Sequence, residues 1–322
     1  MNNLLFKTYV PKSFCREFVE IKGSSLQLGM YMALVLGHKP LMDDWIPKEK
    51  ISEFKKICHK YKILIKEDVL FENIDKDTLP INIIGRECLT TTSAYAFPVG
   101  SNVNASVHIF LSKRKSLLNK GMWYPVIIKD RVIFQPRADS LQYGYVLGYP
   151  GCCIKFFRQF NHWVKYSYLF EAYKNTRGRP VFLCNPFLKD TSYSYIYHMP
   201  CSFNCKKTSQ LIANLRKDIL KREPGFVETT DKYLKLPFLV FYEKKFYCFD
   251  GVLEGDFLRY KKAFFCSQID ANNVYENEFK NADALKLQGR RIILYRRNKV
   301  MKILDVPLGN FAPEYPFLIR FH

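Results

Sequence analysis

Between residues 47 and 61 the apolar side chains Ile51, Phe54, Ile57, Cys58 and Tyr61 recur at steps of three and four, with lysines between them. That period predicts an amphipathic helix packed on a sheet, and Pro47 suits its first position. The stretch SSLQLGMYMALVLG is apolar all round, which predicts a largely buried helix, preceded by a short strand. KILIKEDVLF and ASVHIFLS read as strands, SKRKSLLNKG as a short basic helix, and YPVIIKDRVIFQP as a hairpin turning at Lys129-Asp130. RADSLQYGYVLG predicts a helix that Gly148 stops, and GYPG is a strong turn signal. The chain then re-enters a helix over CIKFFRQFNHWVKYSYLFEAYK. From Thr208 another helix follows, with Leu211, Ile212, Leu215 and Ile219 on one face. Near the end, PFLVFYEKKFYCFDGVL predicts a hairpin turning at Lys244-Lys245, and RRIILYRRNKVMKILDV one turning around Arg297-Asn298. Strands and helices mix without regular alternation. The pattern predicts an α+β fold with mixed or antiparallel sheets and packed helices. An N-terminal α+β region over 1–104 and a cysteine-motif domain over 105–322 are the expected divisions, unless the two run together as one continuous domain.

Composition narrows the class. The chain has 322 residues, 48% of them hydrophobic and 25% charged, enough for a substantial core. No window approaches twenty apolar residues, and the opening MNNLLFKTYVPKSF lacks the build of a secretory signal, so a cytoplasmic protein without membrane partners is expected. Lys and Arg total 50 against 30 Asp and Glu, a formal charge of +20. Such an excess favours polyanionic partners, nucleic acid above all. Surplus lysine spread as solvated surface is the plain alternative.

Ten cysteines are too few for a disulfide scaffold in a chain of this size, and without an export signal they should stay reduced. Cys152 and Cys153 are adjacent, just beyond the GYPG turn; Cys201 and Cys205 lie four apart, after Pro200 and ahead of the helix that starts near Thr208. Both pairs therefore sit where a loop meets a helix. Unpaired amides and the helix dipole stabilise a thiolate there. Four thiolates suit tetrahedral zinc or an iron–sulfur cluster. The interval between Cys201 and Cys205 fits a zinc knuckle, whereas neighbouring cysteines should diverge and serve one small ion poorly. The sequence therefore favours a [4Fe-4S] cluster over zinc, with three ligands and one open iron as a variant. Cys15, Cys58, Cys88, Cys184, Cys248 and Cys266 read as buried small hydrophobes.

The runs LGYPGCCIKFF and HMPCSFNC resemble an uncharacterised prokaryotic family marked by LGYPxCC and a later H-x-P-C-S-x-x-C-like run, the domain of unknown function 483. The resemblance covers about residues 105 to 225. By position it carries over Leu147, Gly148, Tyr149, Pro150, Cys152, Cys153, His198, Pro200, Cys201, Ser202 and Cys205. It implies a shared site and no settled activity.

His198 stands three residues before Cys201 and is a candidate ligand, donor to a cluster sulfide, or acid–base group. Arg137, Asp139 and Tyr143 precede the cysteine turn on its helix and could line a pocket; helix capping is the simpler role for Asp139. Walker, G-x-G-x-x-G, H-E-x-x-H and G-x-S-x-G motifs are absent, as is the C-x₃-C-x₂-C run of radical adenosylmethionine enzymes. The sequence thus points first to an iron–sulfur protein acting as an enzyme on a small anionic or nucleotide-like substrate, with sulfur transfer, redox and lyase-type chemistry all open and an electron donor among the candidate partners. A zinc-stabilised nucleic-acid-binding protein is the alternative.

Overall fold

A computed structural model describes residues 6–23, 27–72, 95–96, 105–120, 124–128, 131–135, 140–160, 168–189, 191–242, 245–265, 275–306 and 316–322. The chain divides into two compact units. One comprises Cys15–Gly23 and Met30–Val164, the other Met1–Phe14, Ser24–Gly29 and Lys165–His322.

The first unit opens with α1 (Arg16–Lys22) where the pattern predicts a strand. Phe18, Val19 and Ile21 are buried, Arg16 pairs with Glu20 one turn on, and Gly23 ends the helix at φ 61°. Helical side-chain pairing and a positive-φ stop outweigh the local apolar run. Then come α2 (Leu28–Leu36) and β1 (Met42–Pro47), the latter hidden in sequence because Asp43 and Asp44 are poor strand formers. Asp44 is explained by its partners: it accepts a hydrogen bond from Tyr31 and an ion pair from Lys22. Pro47 closes β1 and precedes a 3₁₀ turn over Lys48–Lys50 rather than opening α3 (Ile51–Lys60), whose Phe54, Ile57 and Cys58 are buried as the period requires. β2 (Leu64–Glu72), β3 (Tyr95–Ala96), β4 (Ala105–Ser112), α4 (Lys115–Leu118), β5 (Tyr124–Ile128) and β6 (Arg131–Gln135) follow. They form two three-stranded antiparallel sheets, ordered β1-β4-β2 and β3-β6-β5. The β5–β6 turn at Lys129-Asp130 lies outside the described residues. α5 (Ser140–Val146) and α6 (Gly151–Phe160) complete the unit; Ile154 packs so closely on Gly144 that a Cβ there would meet its Cγ1 at 2.8 Å.

In the second unit α7 (Tyr168–Lys174) covers the end of the long helix expected from Cys153 onward. α8 (Lys206–Arg222) starts two residues before the predicted Thr208, and α9 (Pro224–Leu234) follows with Pro224 at its first turn. The remaining elements are β7 (Pro237–Tyr242), β8 (Lys245–Glu254), β9 (Phe257–Phe265), α10 (Glu276–Asn281), β10 (Ala284–Gln288), β11 (Arg291–Arg296), β12 (Lys299–Asp305) and β13 (Phe317–Arg320). They build a seven-stranded sheet, ordered β12-β11-β10-β9-β8-β7-β13 and antiparallel at each pairing. Leu239, Tyr247, Phe249, Leu258, Leu285, Ile292 and Leu294 bury one face together with Phe279 of α10. The β11–β12 hairpin turns at Arg297 and Asn298, at φ 51° and 63°, the two-residue turn that strand twist favours. β12 is one of the sheet's two edge strands, β13 being the other, and leaves Val300, Met301 and Ile303 exposed. The protein is α+β, as its pattern predicts, and its sheets are antiparallel among the described residues.

Candidate metal centre

In the first unit, α5 stops because Gly148 takes φ 79°, and the amides of Leu147, Gly148 and Tyr149 fold back onto the carbonyls of Tyr143, Tyr145 and Gly144. A Cβ on residue 148 would lie 2.7 Å from Pro40 Cδ, so the turn also needs glycine for space. Lys39, beside Pro40, donates from Nζ to the Leu147 carbonyl at 3.2 Å and lies 4.6 Å from the centre of the Tyr149 ring. The LGYP turn is thereby gripped at three successive residues. Pro150 offers its carbonyl to the amides of Cys153 and Ile154 at 2.9 and 3.0 Å and so launches α6. Cys152 and Cys153 fall in its first turn with their sulfurs 3.9 Å apart. Neighbours on a helix diverge by about 100°, yet these two thiols converge. The sequence leads one to expect adjacent cysteines to diverge; here their sulfurs point to the same place.

In the second unit, the knuckle Cys201-Ser-Phe-Asn-Cys205 is positioned by its middle. Phe203 is fully buried, with the rings of Phe187 and Phe321 at 5.7 and 5.5 Å. The loop 175–181 is stitched to it: Asn175 donates to the Cys201 carbonyl at 3.2 Å, the Phe203 amide donates to Thr176 Oγ1 at 2.8 Å, Asn204 donates to the Arg177 carbonyl, and the Val181 amide donates to the Phe203 carbonyl at 2.8 Å. Cys205 caps α8, its carbonyl accepting the Ser209 amide at 2.9 Å.

The sulfurs of Cys152, Cys153, Cys201 and Cys205 all lie within 4.8 Å of one another, Cys153 and Cys205 buried and Cys152 and Cys201 half-buried. Four convergent thiols of this kind can bind a metal ion. Neither α6 nor α8 carries an acidic residue in its first turn, where the dipole favours negative charge. Cysteine side chains stand there instead.

Around this group the structure adds residues that sequence reasoning left in the core. Cys184, in a 3₁₀ turn over Phe182–Cys184, directs its thiol at the Cys205 carbonyl at 3.5 Å and at Ser209 Oγ at 3.2 Å, and burial pushes its pKa up to about 11. Its contact spans 21 positions in sequence, and no local pattern announces it. His198, the acid–base candidate, places Nε2 3.0 Å from Oγ1 of the buried Thr208 in the first turn of α8. Arg137 and Asp139 lie outside the described residues. Beneath the LGYP turn, His108 is fully buried, 3.5 Å from a carboxylate oxygen of the half-buried Asp43. Burial pushes Asp43 up, but His108, the Tyr143 hydroxyl and the Lys39 charge together hold it below its ordinary value. Burial moves Lys39 the other way, from 10.5 down to about 8, against the opposing pull of Asp43.

The chain matches no family model, no curated protein and no solved structure. No helix among the described residues is long and apolar enough to cross a membrane.

Proposed function

We propose that Cys152, Cys153, Cys201 and Cys205 hold one tetrahedral ion, zinc in the first instance, and that the ion serves the architecture of a binding protein whose basic surface meets a polyanion. The observation that carries this reading is the sulfur spacing. A zinc–sulfur bond of about 2.3 Å makes the edge of a thiolate tetrahedron about 3.8 Å. The adjacent pair stands at 3.9 Å, and no pair exceeds 4.8 Å. A [4Fe-4S] cluster sets each thiolate on a separate iron, which spreads the sulfurs to roughly 6 Å.

The iron–sulfur enzyme is the second reading, and a different observation favours it. Lys39, Asp43, His108 and Tyr149 bring several titratable groups into the interior beside the turn that carries Cys152. Such groups accompany catalysis as well as structure. Membership of the LGYPxCC family is proposed on the motif residues alone.

The test is anaerobic purification followed by zinc, iron and acid-labile sulfide per chain, for the wild type and for each of the four cysteines changed to Ala. One zinc per chain without sulfide is expected, lost in those variants and kept in Cys58→Ala. Iron with matching sulfide would replace the single ion by a cluster and bring the enzyme forward. A metal-free wild type would end both readings.

A further inference from the structure

From residue 172 to residue 217 the chain carries eight lysines and arginines and a single acidic residue, Asp190. For the whole chain the figures are 50 and 30. This stretch contains the knuckle, the loop stitched to it and the first turns of α8. Arg177 and Arg179 lie on that loop, Lys206 and Lys207 on the first two positions of α8, and all four are exposed. The Arg177 carbonyl accepts a hydrogen bond from the Asn204 side chain, and Lys206 follows Asn204 by two residues, which keeps the loop beside the start of the helix. None of the four cations has a carboxylate partner among the described residues, whereas Arg216 and Lys221 on the same helix are paired, with Asp231 and Asp218. Lys206 and Lys207 also stand at the positive end of the helix dipole, where cations are disfavoured unless an anion is near.

We infer that Arg177, Arg179, Lys206 and Lys207 form a nucleic-acid-binding surface that grips the phosphodiester backbone along the knuckle. Two guanidinium groups match phosphate bidentately, and two flexible ammonium groups add point charges. Exposed positive charge without internal partners is the footprint of binding driven by counterion release. A membrane surface is a poorer occupant, since Tyr173, stacked on Phe317, is the only large apolar side chain exposed among the described residues between 172 and 217. The inference deepens the binding reading above and does not depend on which ion the cysteines hold.

The experiment uses the full chain and a labelled 20-nucleotide single-stranded RNA, with duplex DNA of equal length alongside, read by fluorescence anisotropy across a salt series. Each phosphate contact on a single strand contributes about 0.7 to the slope of log affinity against log salt, so four contacts contribute about 3. The variant Arg177→Gln, Arg179→Gln, Lys206→Gln, Lys207→Gln should flatten the slope by about that amount. Arg177→Gln with Arg179→Gln alone, both on an exposed loop, should remove about half of it. A control, Lys261→Gln, Lys262→Gln, Arg296→Gln, Lys299→Gln, makes the same change in net charge and should leave the slope near that of the wild type. Equal losses in both quadruple variants, an unchanged slope in the first, or no binding by the wild type would overturn the inference. Metal content of every variant is measured in parallel. A chain without metal that still binds through the four residues sinks the metal reading and leaves this one standing.

Discussion

Lys39 is a buried ammonium whose main polar contact is a backbone carbonyl of the LGYP turn, with the Tyr149 ring beneath its charge and Asp43 facing it. Its folded pKa of about 8 lies below the ordinary 10.5, so between those values the unfolded chain holds a proton that the folded chain has released. Stability contributed by this group therefore rises with pH across that window, and the burial penalty is complete below it. In denaturant melts the wild type should gain on Lys39→Met from pH 8 to pH 10, by at most about 1.4 kcal/mol per pH unit. A difference that stays flat would mean that Lys39 is not a buried charge. Phe203 acts through shape. Phe203→Ala should cost about 3–5 kcal/mol and lower metal content, while Phe203→Leu should keep the knuckle loaded. The cysteine pairs were legible in sequence because they cluster beside Gly and Pro. Phe203 was written between two of them, but its burial depends on rings at Phe187 and Phe321, far along the chain. Lys39 and Asp43 are ordinary surface types until the fold brings His108 and Tyr149 to them.

Elements with a local code were readable and those set by tertiary contacts were not. The hairpin at Arg297-Asn298, the helix over Ile51–Lys60 and the strand ASVHIFLS follow from period and turn chemistry alone. β1 was masked by its aspartates and is held by pairing with the distant β4, whereas β9 and β10, neither of them singled out by the pattern, each close a tight hairpin with a neighbouring strand, β8 and β11, through turns at Gly255 and Gly289. The two helix entries at the cysteines rest on backbone geometry, and this can be weighed. Gly148 and Gly178 share a left-handed backbone at φ 79° and 83°, but a Cβ on the first would meet Pro40 and a Cβ on the second would meet nothing within 4 Å. Gly178→Ala should cost about 1 kcal/mol, the conformational penalty alone. Gly148→Ala should cost about 2 kcal/mol or more and also disturb metal binding, since the displaced turn leads directly into Cys152. Thermal melts with metal analysis compare the two. Equal costs would mean that the contact with Pro40 yields freely.

At the scale of the molecule, fold class was legible because antiparallel hairpins and amphipathic helices both leave short-range signatures. The gathering of four thiols was legible only as a pair of motifs, since their mutual distance is a property of tertiary structure. The boundary of the sheet has its own consequence. β12 lies at one edge with Val300, Met301 and Ile303 turned to solvent, a strand that offers unpaired backbone groups to any similar strand. Lys299 and Lys302 interrupt that row, and Lys302 is held by Glu278 of α10. Charges set among apolar strand residues act as gatekeepers against edge-to-edge growth. Replacing both lysines by Thr should leave the melting temperature nearly unchanged and raise light scattering as concentration increases; clear solutions at every concentration would show that another feature guards the edge. Two surface lysines that contribute little to folding would then decide how densely this protein can be kept in solution before its sheets begin to join.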